Sequence, residues 1–261
     1  MTLSKIHITK LGIAGPRVVM VHGGAQGSAV GGERNFSNQF KLAEQGWQLV
    51  IPDRPGHGQS PLQGWPDDAG KDGEWIAELL GDGAHLVGHS FGGACALNAA
   101  ARRPEAVRSL TLIEPAMIPM AADNPAVRKF LLRLVRIMFF SLTAARRAEA
   151  SFRHLGIPDE VSGQADQAER TRLGKALRRI RMPRKPELER QLAAIKTAGI
   201  PLLVVTGGWS LAFDISSDRV AAAGGGRHVI IRSPHHFPQI VSDEFNTQLV
   251  EFMSAAEAAR K

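Results

Sequence analysis

The sequence predicts an α/β protein with a doubly wound, mostly parallel sheet and an inserted helical lid. Three observations support this prediction: short apolar, β-branched runs recur, helix-length segments lie between them, and polar motifs follow most of the runs. Continuous apolar runs suit strands that are buried on both faces, as in parallel sheets covered by helices. Regular alternation of strands and helices is typical of a doubly wound sheet.

Six apolar runs are predicted to be strands, namely residues 17–21, 47–51, 84–87, 107–113, 202–205 and 228–231. Four segments between them are predicted to be helices, namely residues 36–45, 74–80, 92–103 and 218–223. In sheets of this kind ligands bind beyond the carboxyl ends of the strands, which is where the polar motifs of this chain fall. We therefore expect those motifs to form the functional site.

Residues 117–200 interrupt the alternation, because they are rich in Arg and Ala, contain no convincing strand and are divided by five prolines. We predict an α/β core formed by residues 1–116 and 201–261, with residues 117–200 inserted as a helical lid. Apolar side chains recur at helical spacing from Phe130 to Phe139. We expect them to pack on the core; the alternative is that some line an apolar acyl pocket.

The net charge of +7 comes from the predicted lid, where 17 Lys and Arg residues stand against 8 Asp and Glu residues. A solvated helical surface explains such an excess, and an anionic substrate or surface is the alternative. The chain has no zinc-finger spacing and no basic arm with interleaved aromatic residues. We therefore expect no nucleic-acid partner.

The remaining composition favours a soluble, cytoplasmic protein. A chain of 261 residues, 44% of them hydrophobic, can bury a sizeable core. Its one cysteine, Cys95, cannot form an internal disulfide, which fits a reducing compartment. Residues 1–10 lack the apolar stretch of a signal peptide, and the longest apolar run, 130–142, contains two arginines. We expect neither a membrane span nor a membrane partner.

Ser90 lies in a G-x-S-x-G motif at residues 88–92, and its context favours a catalytic role. A short buried strand precedes the motif and a helix of small residues follows it. Gly88 and Gly92 remove the Cβ atoms that would clash in a tight strand-to-helix turn. The helix N-terminus also directs amide dipoles towards a developing negative charge. The sequence thus predicts Ser90 as a nucleophile.

The chain resembles the α/β-hydrolase superfamily nearly from end to end. The segments that carry the resemblance are HGG at 22–24, PDRPGHGQS at 52–60, GHSFGG at 88–93, LIEP at 112–115, LLVVTGG at 202–208 and HHFPQ at 235–239. Together they are specific for the fold and much less specific for the substrate, because this fold hosts many chemistries.

The resemblance implies partners for the nucleophile. The backbone amides of Gly24 and Phe91 map to the family's oxyanion-hole donors. His236 matches the family's catalytic histidine, which acts as general base; His235, which stands where the family usually has glycine, is the alternative. The resemblance implies neither a metal ion nor an organic cofactor.

The acid of the predicted triad departs from the family's pattern, because Ser210 stands where an aspartate is expected. Glu114 is the favoured substitute: a right-handed crossover from Ser90 would place the strand before Glu114 beside the nucleophile strand. Asp214, slightly beyond the usual position, is the alternative, and a longer loop could bring it to His236.

These residues predict a serine hydrolase that cleaves a carboxylic ester, lactone or similar acyl bond of a small molecule through an acyl-enzyme. The expected substrate is anionic or carries an apolar acyl group. Alternatives on the same fold are carbon–carbon bond hydrolysis, cofactor-free oxygenase or perhydrolase activity, and a small-molecule receptor without turnover. Serine at position 90 argues against haloalkane dehalogenase and epoxide hydrolase chemistry, which use a carboxylate nucleophile. The oligomeric state is left open.

Overall fold

The computed structural model describes residues 6–158 and 165–260, and within them it confirms the predicted α/β class. One sheet has seven strands, in the spatial order β1-β3-β2-β4-β5-β6-β7. The strands are β1 Ile8–Leu11, β2 Arg17–Val21, β3 Gln48–Pro52, β4 Ala84–His89, β5 Val107–Ile113, β6 Leu202–Thr206 and β7 Arg227–Ile230. All neighbouring strands are parallel except β1, which pairs antiparallel with β3.

All six predicted strands are present; two have the predicted boundaries, and the boundaries of the other four shift by one or two residues. The first strand, Ile8–Leu11, is not among the predicted strands, because it has only four residues and none of them is buried. An edge strand of this kind lacks the continuous apolar run that marks a central strand. Central strand β4, in contrast, is buried at all six positions.

Ten α-helices lie among the described residues: α1 Gly32–Asn35, α2 Ala69–Leu79, α3 Phe91–Arg102, α4 Pro125–Phe140, α5 Ala144–His154, α6 Gln167–Leu177, α7 Lys185–Thr197, α8 Leu211–Gly224, α9 Pro238–Val241 and α10 Glu244–Ala258. Predicted helix 36–45 is instead a 3-10 helix, Ser37–Ala43. Helix α2 begins earlier than predicted because the Asp68 side chain accepts hydrogen bonds from the amides of Gly70 and Lys71.

Two hydrophobic clusters cover the faces of the sheet. One contains Leu86 and Leu112 and the small residues of α3, and the other contains Met20, Val87 and Phe245 of α10. Successive residues of β4, Leu86 and Val87, thus belong to opposite clusters, as expected for a strand that is covered on both sides.

The helices of the inserted segment, residues 117–200, pack on two different parts of the molecule. The last of these helices, α7, buries Leu188, Leu192 and Ile195 fully in the same cluster as α3, so it is a layer of the α/β core. Helix α4 packs instead on α5 and α8, and α5 packs on α6. Helix α7 therefore packs with the sheet and α3, although it lies within residues 117–200. No helix in residues 6–158 and 165–260 combines the length and apolar character needed to cross a bilayer.

A buried ion cluster stabilises the loop after β3. Arg54 is fully buried; its Nε donates to Asp72 at 2.9 Å, and its guanidinium also pairs with Asp67. The same guanidinium donates to the backbone oxygen of Gly23 at 3.2 Å and lies 4.5 Å from the centre of the Phe91 ring. The cluster therefore joins the loops after β2 and β3 to the start of α3.

We predict that Arg54→Met lowers the free energy of unfolding by about 3–5 kcal/mol, because it leaves two buried carboxylates without their cation. Urea denaturation at pH 7 measures the loss. The matched control is Arg219→Met, which removes the same charge from an exposed pair with Asp123 and should leave the stability nearly unchanged. Similar losses in the two variants would contradict the buried cluster's role.

Candidate active site

Ser90 occupies a strained turn between β4 and α3. Its backbone has φ 55° and ψ −122°, and only Glu114 shares a positive φ among the described non-glycine residues. The Ser90 amide donates to the Ile113 oxygen at 2.8 Å, and its carbonyl accepts from Gly93 and Ala116, both at 3.0 Å. Strain of this kind persists only where surrounding bonds hold it, and it is frequent at functional sites.

Two glycines allow neighbouring chain segments to approach this turn. A Cβ atom on Gly23 would lie 2.6 Å from the Ser90 Cβ. A Cβ atom on Gly92 would lie 2.3 Å from the Val21 oxygen and 2.4 Å from the His22 oxygen. The end of β2 can therefore contact the Ser90 turn only because both positions lack a side chain.

The structure brings Glu114 and His236 together. Nδ1 of His236 lies 3.2 Å from Oε2 of Glu114, and both side chains are buried. The other carboxylate oxygen, Oε1, accepts a hydrogen bond from the Gly207 amide at 2.6 Å. His236 is further fixed through its backbone, since His89 Nε2 donates to its carbonyl at 2.9 Å and its amide donates to the Gly156 oxygen at 2.9 Å.

Asp214 does not contact His236. It lies in the first turn of α8, and its Oδ1 accepts a hydrogen bond from Thr206 Oγ1 at 2.6 Å. The Thr206 hydroxyl also lies 2.8 Å from His228 Nε2, and His228 Nδ1 lies 2.5 Å from Asp218 Oδ1. Asp214 thus ends a chain of four side chains at the end of β6.

The sequence did not predict a role for Thr206 or His228. The spacing of Asp214 and Asp218, four residues apart on one face of a helix, could have indicated that both carboxylates face the same neighbouring strands.

The other candidates lie as follows. Gly24 has φ +95° and lines the same cavity as Ser90, and Phe91 is the first residue of α3. His235 was the alternative catalytic histidine. Its Nδ1 accepts a hydrogen bond from the Phe237 amide at 3.2 Å, whereas the imidazole that contacts Glu114 is that of His236. Ser210 directly precedes α8 and makes no side-chain cap there.

Burial opposes charge on both members of the Glu114–His236 pair. Loss of solvent raises the pKa of Glu114 to about 8, although the hydrogen bond from the Gly207 amide acts in the opposite direction. Loss of solvent, with the nearby His235, lowers the pKa of His236 to about 3. His89, also fully buried, has a lowered pKa for the same reason. The histidine beside Ser90 is therefore held in its uncharged form.

A cavity of about 60 Å³ joins these groups. Gly24, Ser90 and His236 line it together with Phe152, Ile157 and Leu173 of the inserted segment. The apolar walls come from α5, α6 and the loop after α5, whereas Phe130 and Leu131 of α4 pack against Phe213 in a separate cluster. Helices α5 and α6 thus share a cavity with Ser90, whereas α4, which contains most of the longest apolar run, does not line that cavity.

Comparison with known proteins supports a family assignment. The sequence profile of the alpha/beta hydrolase fold family matches residues 16–222. Lipase LipV of Mycobacterium tuberculosis is 37% identical over 132 residues, which are 48% of this chain and 46% of that protein. The 2-hydroxy-6-oxo-6-phenylhexa-2,4-dienoate hydrolase of Burkholderia cepacia is 32% identical over 126 residues, 46% of this chain and 43% of that protein. The match therefore spans less than half the length of these relatives.

Solved structures agree on the fold over nearly the whole chain. A hydrolase from Oleispira antarctica has a TM-score of 0.74 at 16% identity, with 97% of this chain and 96% of that chain covered. The enol-lactonase from Burkholderia xenovorans has a TM-score of 0.69 at 18% identity, with 95% and 96% covered. At these identities the likeness shows the fold alone.

The opposite pKa shifts predict opposite pH dependences of stability. Between pH 4.5 and 8 the folded state holds a proton on Glu114 that the unfolded chain has released, so this residue's contribution to stability falls as pH rises. Between pH 3 and 6.5 the unfolded chain holds a proton on His236 that the folded state lacks, so that contribution rises with pH. Each slope is at most about 1.4 kcal/mol per pH unit.

Chemical denaturation across this range, with Glu114→Gln and His236→Asn, tests the prediction. Relative to Glu114→Gln the native protein should lose stability as pH rises, and relative to His236→Asn it should gain stability. Two difference curves with the same sign would be incompatible with burial as the common cause.

Proposed function

Because the chain belongs to the α/β hydrolase fold family, we propose that it is a serine hydrolase that cleaves a carboxylic ester, lactone or similar acyl bond of a small molecule. The observation that carries this proposal is the contact of 3.2 Å between Glu114 and His236, because His236 lines the same cavity as Ser90. A carboxylate that orients an uncharged imidazole beside a strained serine is the arrangement that nucleophilic acyl transfer requires.

In the proposed reaction His236 Nε2 takes the proton from Ser90 Oγ while Oγ bonds to the acyl carbon. The amides of Gly24 and Phe91 stabilise the oxyanion, and Glu114 stabilises the imidazolium through Nδ1 when its carboxyl group is ionised, which becomes more frequent as pH approaches its raised pKa of about 8. When the intermediate collapses, the bond from the acyl carbon to the leaving oxygen breaks, and His236 returns the proton to that oxygen. Water activated by His236 then releases the acid and regenerates Ser90.

The cavity favours an apolar acyl group, because Phe152, Ile157 and Leu173 are among the side chains that line it. The similarity to a protein named as a lipase supports an ester as the substrate. We further propose that helices α5 and α6 act as the lid of this site.

Carbon–carbon bond hydrolysis is the second candidate, and one observation favours it. Three of the similar proteins are named as hydrolases of 2-hydroxy-6-oxo dienoates, at 32–33% identity over less than half of the chain. Parallel assays of p-nitrophenyl acetate and a vinylogous 1,5-diketone separate the two reactions. A much higher kcat/KM for the diketone would replace the ester assignment.

Ser90→Ala should abolish both hydrolysis of p-nitrophenyl acetate and labelling by a fluorophosphonate probe, since it removes the proposed nucleophile. Activity and labelling are measured on the purified protein, with circular dichroism as the check on folding. The control is Ser217→Ala, which changes a buried serine of α8 and should preserve both signals. Labelling that survives in Ser90→Ala would remove this residue from the mechanism.

Glu114→Gln should lower the acylation rate by about 10²- to 10⁴-fold, because the amide cannot stabilise the imidazolium as a carboxylate does. Asp214→Asn should have an effect of less than about tenfold, since Asp214 contacts Thr206 and not His236. Stopped-flow measurement of the acylation burst compares the two isosteric changes. The reverse order would assign the orienting acid to Asp214.

A further inference from the structure

Helix α4 exposes an apolar stripe to solvent. Its Val127 is buried and Phe130 packs against Phe213, but the opposite side of the helix carries Leu132, Val135 and Phe139 with 54%, 49% and 64% of their surface exposed. Spacings of three and four residues place these three side chains in one line. Phe140 and Leu142 continue the exposed apolar surface at 79% and 83%.

This concentration is unusual within the molecule. Five of the eleven large apolar side chains that are exposed in the described part of the chain lie between residues 132 and 142. Exposed apolar side chains are ordinary when they are scattered, but a contiguous group marks an interaction surface. We call the exposed side chains of residues 128–142 the α4 face.

The charges on the α4 face have one sign. Every charged residue within α4 is basic, and all four are exposed: Arg128, Lys129, Arg133 and Arg136. Lys129, Arg133 and Arg136 are spaced by four and three residues, so they form a second line beside the apolar one. The four cations border a groove of about 390 Å³ together with Leu132 and Pro125.

These four cations form no ion pair with any described residue. The acidic residues nearest to α4 in the chain are already engaged, because Asp123 pairs with Arg219 at 2.8 Å and Glu149 pairs with Arg170 at 3.3 Å. The positive charge of the α4 face is therefore available to an anionic partner.

We propose that the α4 face docks the protein on an anionic lipid bilayer. A helix with an apolar line beside a line of cations suits the bilayer surface, where apolar side chains enter the headgroup boundary and cations contact lipid phosphates. A second copy of the chain fits less well, because a two-fold contact would bring four unpaired cations against the same four. Docking needs no spanning segment, and it revises the expectation of no membrane partner.

The first experiment measures co-sedimentation of the full chain with vesicles, without any substrate. One vesicle type is phosphatidylcholine alone, and the other contains about 30% phosphatidylserine, which supplies the anionic surface. We expect binding to the anionic vesicles that weakens by about tenfold or more when the salt concentration is raised, and little binding to phosphatidylcholine.

Two double variants test the two lines of the α4 face. Leu132→Ser with Phe139→Ser, and Arg133→Gln with Arg136→Gln, should each weaken binding by about tenfold or more. The control, Lys10→Gln with Ile13→Ser, removes an exposed cation and an exposed apolar side chain near β1 and should bind as the native protein does. Circular dichroism and thermal unfolding confirm that each variant is folded.

Three outcomes would overturn the proposal: equal binding to both vesicle types, binding that neither α4 variant weakens, or no binding to anionic vesicles. Sedimentation velocity in the absence of lipid tests whether a second copy of the chain binds the α4 face instead. Self-association that the α4 variants abolish, in the absence of vesicle binding, would assign the surface to a second copy. None of these measurements depends on hydrolase activity, so they stand apart from the tests of Ser90 and Glu114.

Discussion

The backbone of Ser90 is the constraint on which the rest of the site depends. A non-glycine residue at φ 55° is strained, and the surrounding structure must hold it there. The hydrogen bond from its amide to Ile113 ties the turn to β5, while Gly23 and Gly92 let the end of β2 pack directly against it. The central strands therefore fix Ser90, and Glu114 directly follows Ile113, the last residue of β5.

The position of Glu114 explains how a carboxylate can be retained in a dry environment. Burial disfavours its charge, but the Gly207 amide donates to one oxygen and the His236 ring lies at the other. Because Gly207 follows β6, β5 and β6 together supply the carboxylate and its donor. The Thr206 chain of hydrogen bonds anchors the residue next to Gly207, which gives Asp214 a supporting position without contact to the histidine.

The sequence predicted the central sheet and the Ser90 turn well, because continuous apolar strands and a glycine-flanked serine are local patterns. The sequence did not decide whether Glu114 or Asp214 is the acid that contacts His236, because the answer depends on the direction in which each side chain points. Successive residues of a helix point about 100° apart. The Phe213 ring contacts His236 at a centroid distance of 4.9 Å, so the next residue, Asp214, points away to Thr206. No spacing rule contains that information.

The inserted segment was the least predictable part, because helical periodicity identifies a helix but not the surface that covers it. The apolar residues of α4 divide between two faces: Phe130 packs inward, and Leu132 and Phe139 remain in solvent. The inward face is close to the chemistry, since the Phe130 ring contacts Phe213 at 5.7 Å and Phe213 contacts His236. One helix thus presents a cationic, apolar surface outward and supports the wall behind the proposed catalytic histidine inward.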